Sequence, residues 1–129
     1  MITFTQKGEI VLGIRNNESY NGAIHGAAGW MNFKPEVNLI DPLEDVRREL
    51  DEELGIGTCD ISSLSLVGIV GFTHTCEGDL VYLVHTSKEK EYFTSRRWMD
   101  AVDAKEHKEL VVLSTTDEIK LLLHEGRVS

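Results

Sequence analysis

The sequence predicts an α/β or α+β domain built on a mixed β-sheet, and three observations predict it. Stretches with β character occur at 2–15 and again at 64–87. Between them, Asp41 to Gly55 carries apolar residues at helical spacing. A second helical segment begins near Thr115, so strands and helices interleave along the chain. No repeat, linker or low-complexity tract interrupts the 129 residues, so one domain spanning 1–129 is expected, long enough to bury a core.

Taken in order, Ile2 to Gln6 reads as a short strand and Lys7-Gly8 as a turn. Glu9 to Arg15 reads as a second strand, with Ile10, Leu12 and Ile14 alternating onto one face. Asn16 to Gly22 is polar and turn-like. The stretch Ala23-Ile24-His25-Gly26-Ala27-Ala28-Gly29-Trp30 is small and punctuated by glycine, which fits close approach of backbone to a ligand or to other backbone. A loop is expected from about Asn32 to Ile40.

The helix that follows has the clearest signals in the chain. Asp41 is placed as N-cap, Pro42 as first helical residue and Glu44 for a capping contact. Leu43, Val46, Leu50 and Leu54 form an apolar stripe, and Gly55 ends the helix. Leu64 to Thr75 and Leu80 to Ser87 read as two strands joined by a turn at Cys76-Glu77-Gly78-Asp79, with consecutive apolar residues implying burial on both faces in places. Arg96 to Met99 suits a short strand, and Ala101 to Glu109 a weak helix or loop. Thr115 and Glu118 form a capping box for a last helix carrying Ile119, Leu122 and Leu123, with Gly126 as its stop.

Composition narrows function. Hydrophobic residues are 41% and charged residues 27%, as in soluble globular proteins, and no apolar run approaches the roughly 20 residues of a membrane span. The N-terminus lacks the basic start and apolar stretch of a signal peptide, so the cytoplasm is the default location. Cys59 and Cys76 are far apart and have no histidine at ligand spacing, which reads as two free thiols. A net charge of −9 makes nucleic acid and anionic membranes poor partners for the bare protein, and neither is expected. A phosphorylated small molecule remains compatible if a bound cation supplies positive charge locally. A homodimer is left open.

The acids are clustered. Glu49, Glu52 and Glu53 stand at i, i+3 and i+4 and share a helix face, with Asp45 one turn upstream. Such a face has two readings. Glu44–Arg48, Arg47–Asp51 and Arg48–Glu52 are available as surface ion pairs, each weak, and would make it an ordinary solvated face. Alternatively the carboxylates, hard oxygen donors that repel one another, hold Mg²⁺ or Mn²⁺ against phosphate oxygens.

Residue order favours the second reading. Arg48-Glu49-Leu50-Asp51-Glu52-Glu53-Leu54-Gly55-Ile56 resembles the second half of the Nudix box, R-E-U-x-E-E-x-G-U with U aliphatic, at every fixed position. The first half of the box, G-x5-E-x7, departs from the pattern: its Glu falls on Ile40 and its Gly on Lys34. The loop here is longer than usual, Gly29 is available for the glycine's part, and Glu36, Asp41 and Glu44 are available to replace the acid.

The resemblance implies a mixed β-sheet sandwiched between helices and hydrolysis of a nucleoside diphosphate derivative, such as a nucleoside triphosphate or nucleotide sugar. It implies Mg²⁺ (or Mn²⁺) held by Glu49, Glu52 and Glu53, with Arg48 orienting the glutamates. Glu49 or Glu52 would deprotonate water directly or through the metal. Family members often add an acid from a downstream loop, for which Glu77, Glu89, Glu91, Glu106 and Glu109 are candidates, each otherwise an ordinary surface acid. Arg15 at the end of the second strand is a candidate phosphate contact, and Trp30, Tyr20 and Trp98 are candidate base-stacking residues, packing being the commoner role of each. His25, His74 and His85 read as packing or hydrogen-bonding residues. Two rival functions stand beside the hydrolase: a Nudix-like domain that binds its ligand without turnover, and an acidic interaction domain whose helix is only a charged surface.

Overall fold

A computed structural model describes residues 1–16, 24–26, 33–34, 39–72 and 77–124. The fold is α+β, a mixed β-sheet with, among the described residues, three α-helices. Strand β1 (Ile2–Phe4) turns into β2 (Ile10–Arg15) through Gly8, whose φ of 81° suits a residue without Cβ. The two strands are antiparallel, with Thr3 opposite Val11.

β2 organises one end of the sheet. Strand β8 (His107–Leu113) runs antiparallel along one edge of it, from Ile10 to Arg15. A strand has only two edges, so β1 and β3 (Ile24–His25) share the other: β1 lies against Ile10 and Val11, and β3 against Gly13 and Ile14. Just after β3, Gly26 abuts the Met1 carbonyl so closely that a Cβ there would strike it. Ile10, Leu12 and Ile14 do share a face, but it is only half-buried. The buried side of β2 is that of Val11 and Gly13, because Val11 packs into the core with the first helix.

β1 pairs in parallel with β7 (Glu77–Thr86), which makes the sheet mixed, and β7 pairs antiparallel with β6 (Ile61–Phe72) at the far edge. The β6–β7 hairpin was expected, but β7 begins at Glu77, so Glu77 to Asp79 are strand and not turn. The linking residues 73–76 lie outside the described residues, as does Cys76. Burial of the hairpin on both faces holds only in β7, where Tyr82 and Val84 are buried and Val81 and Leu83 half-buried; in β6, Leu66, Val67, Ile69 and Val70 are all exposed. The expected loop before the first helix contains a two-residue ladder, β4 (Phe33–Lys34) against β5 (Leu39–Ile40).

Helix α1 (Pro42–Leu54) forms as its signals predict. The Asp41 carboxylate accepts the Glu44 N–H at 3.2 Å, Pro42 opens the first turn, and Gly55 closes the helix at φ 67°. Val46, Leu50, Leu54 and Ile56 meet Tyr82, Val84, Phe93 and Trp98 in the core. Leu43, expected on the same stripe, is 41% exposed because the core begins one turn later.

The C-terminal third departs most from expectation. Arg97–Asp100 is a 3₁₀ turn and not a strand, entered through Arg96 at φ 66°. A five-residue helix α2 (Lys90–Thr94) precedes it, too short to show a periodic stripe. The region read as weak helix or loop gives way at His107 to β8, whose burial does not alternate, so no two-residue period marks it. Helix α3 (Thr116–His124) carries the full capping box: Thr115 Oγ1 accepts the Glu118 N–H at 3.2 Å, and the Glu118 carboxylate accepts the Ser114 and Thr115 N–H groups. Leu122 and Leu123 as side chains, and Gly126, lie outside the described residues. No helix among them is long and apolar enough to cross a membrane.

Candidate functional site

At 100° per residue, Glu53, Glu49, Asp45 and Glu52 fall within an arc of roughly 100° on α1, beside the apolar stripe. Their environments differ sharply. Glu53 is 1% exposed and Asp45 5%, whereas the Glu52 side chain is about one-third exposed. Arg48 binds three of them together, reaching Glu49 at 2.9 Å, Glu52 at 3.2 Å and Asp45 at 3.3 Å. Partial burial works against the guanidinium charge, and the hydrogen bond to Asp45 and the charges of Glu49 and Glu52 outweigh it. Loss of hydration raises the Glu49 carboxyl above the usual range, helped by Glu52 and Glu106 and opposed by Arg48.

The last turn of α1 is fastened by backbone contacts that bring distant chain to it. The Leu54 carbonyl accepts the Tyr92 hydroxyl at 2.7 Å, and the Glu52 carbonyl accepts the Asp103 N–H at 2.6 Å. The Asp103 contact sets residues 103–106 beside Glu53. On their other side the Asn16 N–H donates to the Glu106 carbonyl at 3.0 Å and the Asn16 amide to the Lys105 carbonyl at 3.2 Å. Glu106 therefore stands between the end of β2 and the end of α1. Although the residue is exposed, loss of hydration at its carboxyl, then a hydrogen bond to Glu53 and that residue's charge, push its pKa up to about 7. In its protonated form Glu106 is the donor of that hydrogen bond and Glu53 the acceptor.

A second partner grips Glu53 from beneath. His107 Nε2 lies 3.1 Å from Glu53 Oε2, and both side chains are almost wholly buried. Burial, with the nearby Arg15, holds the imidazole below its ordinary pKa, against the pull of Glu106. The neutral ring donates its Nε2–H to the carboxylate, so the contact is a hydrogen bond and not a paired charge. The ring lies over Gly13: a Cβ there would stand 2.6 Å from Cε1 and 3.0 Å from Cγ, and closer still to Nδ1. Trp98 meets the ring edge-on at 6.3 Å between centroids.

The structure thus groups Arg48, Glu49, Glu52 and Glu53 on one helix face and sets Glu106 against Glu53. Arg15 is opposite His107 in the β2–β8 register, at the rim of the same cluster. Gly29, Trp30, Tyr20 and His74 lie outside the described residues, as do the side chains of His25 and Glu77. Trp98 is a core residue, 1% exposed, with its indole N–H donated to the Phe93 carbonyl at 2.9 Å. His85 is exposed and stacks on Phe4. Glu89, Glu91 and Glu109 are exposed. Sequence reasoning passed over His107 and Gly13. The adjacency of His107 to a candidate acid was visible, but the strand register that lays its ring on Gly13 was not.

Among the described residues, no three acidic or histidine side chains converge as a ready cation cage. The donor set nevertheless suits a hard divalent ion: it is all carboxylate oxygen, and loss of hydration, reinforced by neighbouring carboxylates, raises the pKa of Glu49 within it and of Glu106 beside it. Rotation of Glu49 and Glu52 away from Arg48 is what a cation would require.

No protein-family model matches the chain, and no curated protein sequence matches it. Among solved structures, it is similar to the NUDIX domain of Shewanella oneidensis NrtR, determined in complex with ADP ribose. The match has a TM-score of 0.61 at 15% identity and covers 92% of this chain and 72% of that one. At that identity the likeness is one of fold: the mixed sheet and helices described above are arranged as they are in a Nudix domain.

Proposed function

We propose that this chain is a divalent-metal-dependent hydrolase that cleaves the diphosphate linkage of a nucleoside diphosphate derivative. One observation carries the reading: the fold brings Glu106, about fifty residues downstream of α1, into contact with the helix carboxylate Glu53, and loss of hydration together with that contact pushes Glu106 up to a pKa of about 7. A surface helix with incidental charges has no use for a buried glutamate pressed against a second carboxylate. Mg²⁺ or Mn²⁺ held by Glu49, Glu52 and Glu53 would lower the pKa of bound water and neutralise charge on the phosphates. Around it, Arg48 restrains Glu49 and Glu52, and His107 fixes Glu53 through one carboxylate oxygen. Glu106 shares its proton with Glu53; a cation held at Glu53 would offset that charge and favour release of the proton to solvent, which would leave Glu106 able to accept a proton from water. Arg15 at the rim offers a cation to a substrate phosphate.

A second reading rests on a specific observation as well. Ile40 stands where the resemblance expects an acid, and Glu53 is already engaged by His107. In that case the domain binds a nucleotide derivative without cleaving it. The ADP ribose held by the NrtR domain is the natural first compound to try.

The test is a panel of nucleoside triphosphates, nucleotide sugars, dinucleotides and ADP-ribose with Mg²⁺ or Mn²⁺, reading released phosphate and monophosphate. The wild type is expected to turn over at least one class, and Glu52→Gln and Glu53→Gln to lose about 100-fold or more in kcat. Binding of metal and nucleotide without turnover establishes the second reading. Absence of both, or full activity in Glu52→Gln, refutes the proposal.

A further inference from the structure

The two lateral strands of the sheet are treated differently. Helix α2 packs against β8, whereas β6 at the other end pairs, among the described residues, with β7 alone. An edge strand presents a row of N–H and C=O groups able to pair with another strand, and proteins usually blunt it with charge, proline or a covering element. Residues 61–72 of β6, Ile-Ser-Ser-Leu-Ser-Leu-Val-Gly-Ile-Val-Gly-Phe, contain neither charge nor proline. This is notable in a chain with 22 acidic and 13 basic residues.

Its outer half is also apolar on both sides. Leu66 is 53% exposed, Val67 53%, Ile69 72% and Val70 47%. A register slip between Leu66 and Gly68 sets Leu66 opposite Tyr82 and Ile69 opposite Leu80, so both lie on the core side of the sheet. Both are nevertheless exposed, Leu66 even though its partner Tyr82 lies in the core. Val70, opposite Asp79, lies on the other side.

We infer that β6 is a self-association edge: it pairs antiparallel with β6 of a second copy of this chain in a closed two-fold dimer. The area is sufficient. The four exposed apolar side chains present on the order of 400 Å² per copy, divided between the two sides of the strand and comparable to the largest apolar patch of a typical monomer. With the backbone edge and Ser62, Ser63 and Ser65 added, a pair buries roughly 1,200 Å² in total, the lower end of specific interfaces. Charge selects the partner. Two copies each at −9 repel, and the uncharged β6 is where they meet with least repulsion, without needing a complementary basic surface. A two-fold pair also uses up the open edge, so association stops at two copies. The Glu53–Glu106 cluster lies by β8, at the opposite end of the sheet, so both sites stay open and the inference stands apart from the catalytic reading.

Sedimentation velocity over micromolar to near-millimolar protein, at low and high sodium chloride, tests it. A reversible monomer–dimer equilibrium that tightens with salt is expected. The double substitution Val67→Lys, Ile69→Lys, at two exposed positions, should weaken it by about tenfold or more while leaving the thermal melt in place. Hydrogen exchange of the wild type gives a second readout that needs no variant: amides within 61–72 should gain protection as the protein is concentrated. A monomer throughout, a dimer indifferent to both lysines, open-ended aggregation, or concentration-dependent protection elsewhere than β6 each overturns the inference.

Discussion

Replacing Gly13 by alanine should unseat His107, and the size of the effect follows from the geometry. The added Cβ would lie 2.6 Å from His107 Cε1, where ordinary contact needs at least about 3.5 Å between carbons. The ring must retreat by about an ångström, yet it is buried and bound to Glu53. Overpacking of this kind costs about 1–3 kcal/mol. Weakening the buried hydrogen bond adds roughly 1 kcal/mol. Alanine's advantage over glycine in a strand returns about 0.5–1 kcal/mol. The net loss is about 2–3 kcal/mol, and at roughly 4 °C per kcal/mol for a chain of this size the melt should fall by about 10 °C. Urea unfolding of a double-mutant cycle isolates the cause. In a His107→Ala background the clash is gone, so Gly13→Ala should become neutral or slightly stabilising. If Gly13→Ala costs the same in both backgrounds, the ring is not what excludes the methyl group and the reasoning fails.

Three further outcomes follow from other contacts. Gly55→Ala meets both a φ of 67° and the Tyr92 hydroxyl, 2.8 Å from the new Cβ, and should lose about 1–2 kcal/mol in chemical denaturation; a change under a few tenths would contradict the cap. The Glu9 carboxyl is held below its usual range by the Ser114 hydroxyl at 2.7 Å, a shift that loss of hydration opposes and Thr5 reinforces. A depressed carboxylate stabilises the fold above its unfolded pKa and loses that contribution as the pH falls through the folded one. Ser114→Ala should therefore flatten the decline of stability in acid, seen in melts from neutral pH downwards, and an unchanged acid limb would count against the contact. Finally, Mg²⁺ or Mn²⁺ should raise the melting temperature of the wild type, by about 2.7 kcal/mol of stabilisation at a hundredfold excess over Kd. Glu53→Gln should respond far less, and equal responses would place any cation elsewhere.

Helix α1 was legible because its information is local. Asp41, Pro42 and Gly55 act within one turn of themselves, and the acids show their shared face through spacing alone. The β6–β7 hairpin and the capping box at Thr115 were legible for the same reason, and even the list of downstream acids contained Glu106. What escaped is set by pairings distant in the chain. β8 was missed because His107, Lys108 and Glu109 open it with polar residues and its burial does not alternate. The choice of Glu106 among five acids depends on Asn16 and Asp103 fastening its backbone from two sides. The pairing of Gly13 with His107 depends on the register of β2 against β8. Leu43 failed differently: it obeys the helical period, but the period says nothing of where the core stops.

The parallel ladder between β1 and β7 bears on how the chain reaches this structure. It joins Ile2, Thr3 and Phe4 to Leu83, Val84 and His85, positions about eighty residues apart. Contacts of such separation are paid for in loop entropy before they return any stability, so they belong late in folding. On the ribosome the residues of β1 would wait while helix α1 and then the β6–β7 hairpin emerged and formed from local contacts. The sheet would join its two halves only after His85 cleared the exit tunnel, and until then β2 and the hairpin would exist as separate apolar surfaces.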